Sequence, residues 1–273
     1  MGEHSEQRPL VLLLHGFPEY WWAWRHHIAS IAKAGFEVAA VDLRGAGGSD
    51  KTPDIVDVPT LAQDILAISR SLGARSTILV GLGRGGSLAW TAAGIAPSQI
   101  SALLTFSAPH PKALRFAATR TNMRLLGDIA ATYVRPLARK GLGDSHHIER
   151  LLSSWSAPGN TGASSQAELY SAALRLPHAA NSAIEQLRWS YMTLRHVSGF
   201  HYARIVRQKL DIPVWTVRGE LDPLLGVSSW KSDEAHTEGE YRHIIVKDAG
   251  HFIVEENPKI SQEIILEFLT PFL

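Results

Sequence analysis

Ile78-Leu79-Val80-Gly81-Leu82-Gly83-Arg84-Gly85-Gly86-Ser87 is the stretch whose reading decides the fold. It opens as an aliphatic strand, passes through a glycine-crowded turn and ends in the small residues that start a helix. That is the layout of a nucleophile elbow, a strained strand-to-helix turn that lifts one side chain above a sheet while small neighbours let the backbone pass. In the pattern Gly-x-Nuc-x-Gly, Gly81-Leu82-Gly83-Arg84-Gly85 puts glycine at the nucleophile's own position. Glycine has no atom to attack with, so the fold signal and the chemical signal part at residue 83.

Outward from this turn, strand and helix signals alternate. Residues 10–14 form an uninterrupted aliphatic run ending at His15-Gly16, as a strand buried on both faces requires. Further strands are predicted at 36–43, 77–80, 102–106, 212–218 and 241–246, with helical patterns at 24–34, 61–72, 86–96 and 260–272. Such alternation is the signature of βαβ units and a parallel sheet. Between residues 109 and about 210 the strand signal vanishes, and helix-like segments are broken by Gly141, Gly143, Pro158-Gly159-Asn160 and Pro177. A helical block between two halves of a parallel sheet is most simply a cap over the sheet's C-terminal edge, where such sheets carry their sites.

Loops that follow strands hold the candidate chemistry. His15-Gly16-Phe17-Pro18-Glu19 turns beside the elbow; one N–H from such a loop and one from the residue after the nucleophile form an oxyanion hole. The donors here are Phe17 and Arg84. Arg218-Gly219-Glu220-Leu221-Asp222-Pro223 places an acid after one strand, and Ala249-Gly250-His251-Phe252 a histidine after the next. A histidine backed by a carboxylate is a general base. Plainer roles are expected elsewhere: packing or loop shaping for His15, Trp21, Trp22 and Trp24, and loop fixing through backbone contacts for Asp42 and Arg44. His26-His27 and His146-His147 read as solvated or locally capped, not metal-bound, and Ser87 as packed rather than nucleophilic.

Together these motifs resemble the α/β-hydrolase superfamily and, within it, the epoxide hydrolase and dehalogenase branch. His-Gly-Phe-Pro-Glu at 15–19, Trp24-Arg25, Asp42-Leu43-Arg44-Gly45-Ala46-Gly47-Gly48-Ser49-Asp50-Lys51, Ala108-Pro109-His110-Pro111 and Gly250-His251-Phe252 all look like that branch. The resemblance implies an α/β-hydrolase fold: a mostly parallel sheet flanked by helices, with the core at 1–110 and 211–273 and a helical cap at 111–210. It also implies the chain order nucleophile, acid, histidine, here Gly83, Asp222 and His251. Relatives of this type carry Val-Gly-His-Asp-Trp-Gly-Gly at the elbow, so the histidine, the aspartate and the tryptophan are replaced by Leu82, Gly83 and Arg84. Their aspartate forms an alkyl ester that a His–Asp-activated water then hydrolyses, while two lid tyrosines donate to the epoxide oxygen. Matched onto this sequence, the lid positions hold Ile129 and Leu187, with Tyr133 and Tyr191 placed to substitute. Two antiparallel edge strands usually precede the His-Gly motif; only 14 residues do so here, which would leave 36–43 as a bare sheet edge.

Composition narrows the partners. With 27 basic and 26 acidic residues the net charge of +1 gives no pull toward nucleic acid or an anionic membrane. No long apolar run suggests a membrane span, and residues 1–8 are polar without a signal-peptide core, which reads as cytoplasmic. The absence of cysteine excludes thiol catalysis and disulfides, and no cofactor or metal is called for. The reading is thus an epoxide-hydrolase-like protein without covalent hydrolysis, holding a small apolar molecule or a partner. Its rivals are an active hydrolase or lyase that uses the His251–Asp222 pair as general base on water, and a subunit that dimerises, with itself or an active homologue, through the bare edge.

Overall fold

The computed structural model describes residues 8–52, 57–113, 135–191, 197–225, 230 and 232–273, of which the side chains of 135–137, 189–191 and 197–198 are left aside. Among the described residues six strands make one parallel sheet in the order β2-β1-β3-β4-β5-β6. They are β1 (Leu10–Leu14), β2 (Val38–Val41), β3 (Thr77–Leu82), β4 (Ile100–Phe106), β5 (Val214–Gly219) and β6 (Tyr241–Val246). Strand direction out of the plane alternates residue by residue, and the two faces take different neighbours. Val11 and Leu13 join Trp24, Ile31, Ile264 and Phe268 in one core, against α1 (Ile28–Lys33) and α10 (Pro258–Leu269). Leu12 and Leu14 join Leu61, Ile65, Leu88 and Ala92 in the other, against α2 (Val58–Ser71) and α3 (Arg84–Ile95). Burial on both faces is why β1 reads as unbroken aliphatic sequence, each such side chain contributing about 1.5–3 kcal/mol.

Some boundaries differ from the sequence reading. The helix expected at 24–34 splits into a 3₁₀ turn, Trp21–Trp24, and α1, a break that sends Trp24 into the core while Arg25 turns to Glu255. Helix α2 starts earlier than the periodicity suggested, because the Asp57 side chain accepts the Thr60 N–H (2.8 Å) and Pro59 occupies the first turn. The second strand is only four residues long and forms an edge of the sheet.

Between β4 and β5 lie α4 (Arg135–Leu142), α5 (Ser145–Trp155), α6 (Ala167–Arg175), α7 (Ala179–Tyr191) and α8 (Val197–Ile205). This insert packs on loops at the C-terminal ends of the strands. Trp22 Nε1–H donates to Gln166 Oε1 (3.0 Å), Gln186 Nε2–H to the Arg44 carbonyl (2.9 Å) and the His251 N–H to the Trp155 carbonyl (2.8 Å). After β6 come α9 (Ile253–Glu256) and α10. No described helix is long and apolar enough to cross a membrane.

Candidate active site

Gly83 sits between β3 and α3 with φ 50° and ψ −114°, in the left-handed half of backbone space where a side chain is strained. Its N–H donates to the Phe106 carbonyl (2.8 Å) and its carbonyl accepts the Ser87 N–H (3.1 Å). A Cβ built on residue 83 would stand 3.2 Å from His251 Nε2 and 4.0 Å from the Gly16 Cα. The turn can run this close to β1 because Gly85 is bare: a Cβ there would meet the Leu14 carbonyl and lie 2.6 Å from the His15 carbonyl oxygen.

Asp222 and His251 are brought together above this turn. His251 Nδ1 lies 2.9 Å from Asp222 Oδ2, with the histidine side chain 11% exposed and the aspartate 1%. Asp222 Oδ1 is held by the N–H groups of Leu224 (2.8 Å) and Leu225 (3.3 Å), so the carboxylate cannot swing away. Since a carboxylate only accepts, Nδ1 donates to Asp222, and in the neutral imidazole the Nε2 lone pair lies on the side of residue 83. The Ser107 hydroxyl donates to the His251 carbonyl (2.7 Å), and the Trp155 and Phe252 rings stand edge-on to the imidazole. The Phe17 ring packs on Trp155 (6.4 Å between centroids), and Arg84 opens α3 directly after residue 83.

The Arg84 side chain is desolvated: its Nε is buried without a partner, and burial pulls the guanidinium down to about 10. Among the described residues no carboxylate pairs with it. It lines a cavity of about 20 Å³ with His15, Glu19, Gly45, Ala183 and Gln186, room for one water.

A profile of the alpha/beta hydrolase fold matches residues 9–258. The chain belongs to the alpha/beta hydrolase fold family. It is 28% identical over 272 residues to epoxide hydrolase 3 of Xenopus tropicalis, covering 97% of this chain and 72% of that protein. It is 28% identical over 274 residues to the AB hydrolase superfamily protein YfhM of Bacillus subtilis (strain 168), covering 97% and 91%. Its fold is that of epoxide hydrolase A from Mycobacterium thermoresistibile, with a TM-score of 0.81 at 22% identity over 99% of this chain and 93% of that one.

Within this alpha/beta hydrolase fold the other candidate residues take more varied places. His15 shapes a loop: its Nδ1–H donates to the Gly16 carbonyl (2.7 Å), its Nε2 accepts the Leu43 N–H (3.1 Å), and burial lowers its pKa to about 4, so it stays neutral. Asp42 accepts the backbone N–H groups of Trp21 (2.8 Å) and Gly48 (2.7 Å). Arg44, expected on backbone, instead forks onto the Asp64 carboxylate (2.6 and 2.5 Å) across α2, because two parallel N–H···O bonds outweigh one carbonyl. Trp24 is in the core, but Trp21 is 37% exposed, with its ring edge-on to those of Tyr20 and Trp22. His27 corrects the expectation of a solvated pair: it is fully buried, bonded through Nε2 to the Ser261 hydroxyl (2.8 Å) and pushed to about 3 by burial, while His26 is exposed. The two lie in the turn between the 3₁₀ segment and α1, where His27 precedes the first helical residue.

Of the lid positions, Leu187 lies half-buried on α7, and its neighbour Gln186 is the side chain that reaches the Arg44 loop. Ile129 and Tyr133 lie outside the described residues, and of Tyr191 only the backbone is described. The sequence reading missed one buried polar group altogether. Glu19, quoted there only as part of a motif, meets Glu255, Arg25 and Tyr170, residues that no local spacing connects to it.

Proposed function

We propose that this chain is an epoxide-hydrolase-like member of the family that does not form a covalent intermediate, and that it holds a small apolar molecule or a protein partner above residue 83. In this reading the helical insert serves as the cap over the site. One observation carries it: residue 83, at the strained turn facing His251 Nε2, is a glycine. The desolvated Arg84 supports it, since a cation beside an attacking carboxylate would draw off the charge the attack needs. Incubation with an epoxide, a haloacid or an activated ester is therefore expected to leave the intact mass unchanged. A stable adduct mapped to the peptide holding Gly83 to Ser87 would overturn this reading.

A second reading rests on the oriented pair itself. His251 with Asp222 behind it has the arrangement of a general base, and water in place of a side-chain nucleophile could be its substrate. Such catalysis contributes about 10² to 10⁴ in rate, which demands a reactive substrate such as a strained lactone or activated ester. If the pair works this way, Asp222→Ala and His251→Ala should each lower hydrolysis of such a probe by about 10²-fold or more. Equal rates in the parent and both variants would leave the pair a structural one.

A further inference from the structure

Glu19 and Glu255 are both buried in one cluster with Arg25 and Tyr170, and each keeps one buried oxygen, Glu19 Oε1 and Glu255 Oε2, that no donor reaches. Ionised carboxylates only accept, so two of them cannot bond unless a proton lies between them. The remaining bonds say which oxygens share it. Glu19 Oε2 takes the Gly16 N–H (3.0 Å), and Glu255 Oε1 takes both Arg25 (2.6 Å) and the Tyr170 hydroxyl (2.7 Å). That leaves Glu19 Oε1 and Glu255 Oε2, the two buried oxygens with no other donor. The Arg25 guanidinium favours the charged form at Glu255, so the neutral partner is Glu19.

We infer that Glu19 is held as a neutral acid donating to Glu255, and that this one proton ties the loop carrying the Phe17 amide to the segment behind His251 and to helix α6. The inference does not depend on whether the site is catalytic. With the proton in place, the buried set of Arg25, Glu19 and Glu255 is neutral; without it the set carries an uncompensated negative charge away from water. Glu19 reaches Gly16 so closely that a Cβ on Gly16 would stand 2.8 Å from Oε2, so the carboxyl position and the loop position are one constraint. At the other end, Glu255 adjoins Glu256, whose carboxylate takes the N–H groups of Ala157, Gly250 and Phe252 (each 2.8 Å) around His251. Glu19 is thus a positioning residue for the oxyanion loop.

The groups facing the pair are Arg25 from the turn before α1, Tyr170 from α6 and, farther out, Tyr20, which stacks edge-on against Tyr170 at 5.7 Å. Burial and the neighbouring Glu255 raise the Glu19 pKa well above its ordinary value of 4.5. In the window above that value the folded protein keeps a proton that the unfolded chain has released. Stability contributed by the pair is therefore full at acid pH and falls as pH rises through the raised value. Asp233, pushed up to about 8 by burial, acts with the same sign, so the wild type alone does not isolate Glu19.

Glu19→Gln isolates it, because the amide can donate to Glu255 and accept from Gly16 without titrating. Infrared difference spectra at pH 7 should show two neutral-carboxyl contributions in the wild type, from Glu19 and Asp233, and one fewer in Glu19→Gln. Between pH 6 and pH 9 the wild-type Tm should fall about 5 °C further than that of Glu19→Gln, while Glu19→Ala is less stable than both at pH 6. Identical pH slopes together with no missing band would overturn the inference. Should Glu19→Gln fail to fold, Asp233→Asn decides: it must keep one neutral carboxyl at pH 7, and its absence would mean Glu19 is ionised.

Discussion

Gly83→Asp is expected to supply a carboxylate beside His251 and still give no measurable turnover of a small epoxide. The new Cβ would stand 3.2 Å from His251 Nε2, tighter than ordinary contact, on a backbone with φ 50°. The elbow holds that strain at a cost of about 1–3 kcal/mol. The chemistry fails for another reason. Arg84, with no carboxylate partner among the described residues, would pair with the introduced carboxylate and dull it as a nucleophile. Ile129 and Leu187, if they hold the lid positions, cannot donate to the epoxide oxygen. Single-turnover alkylation, read by intact mass, should be slow. Adding Arg84→Trp, Ile129→Tyr and Leu187→Tyr should speed it by about 10²-fold or more, the scale of restoring donors to a developing oxyanion. Diol formation by Gly83→Asp alone at the rate of a working epoxide hydrolase would mean that the rest of the site is intact and residue 83 its single loss.

Gly85→Ala is expected to destabilise the protein by about 3 kcal/mol or more, against the roughly 1 kcal/mol of an ordinary substitution. Its Cβ would collide with the Leu14 and His15 carbonyls, and neither can retreat easily: β1 is held between two strands, with Leu14 in register with both Val41 of β2 and Gly81 of β3. By contrast, Gly73→Ala puts a Cβ where nothing lies within 4 Å, so its cost is limited to backbone strain at φ 77°. Urea denaturation of both variants checks the difference. Equal midpoints would show that β1 and α3 can separate without penalty, contrary to the packing described.

The strands were legible because a parallel sheet covered on both faces leaves an unmistakable trace, as in the all-aliphatic 10–14 run. Gly83, Asp222 and His251 were legible for a related reason: Gly83 follows β3 directly, and Asp222 and His251 lie three and five residues past β5 and β6, so parallel strands deliver all three to the same end of the sheet. What stayed hidden depends on contacts across the chain. Nothing local to Glu19 foretells a partner at 255, nothing beside Arg44 marks Asp64 over the backbone, and nothing in His26-His27 says which ring turns to Ser261. The helix expected at 24–34 failed similarly, since the pull of Arg25 toward Glu255 is a tertiary event that periodicity cannot register.

The placement of the helical insert between β4 and β5 sets a timetable for the newborn chain. Leu103 to Phe106 must wait for Val214 to Val217 before that flank of β4 is paired, and the whole insert is synthesised in between. Until then a hydrophobic strand edge stands open at the ribosome, the condition under which strands find wrong partners. Loop closure over so long a stretch is also slow. That flank of β4 is therefore the last side of the strand to find its partner as the chain emerges.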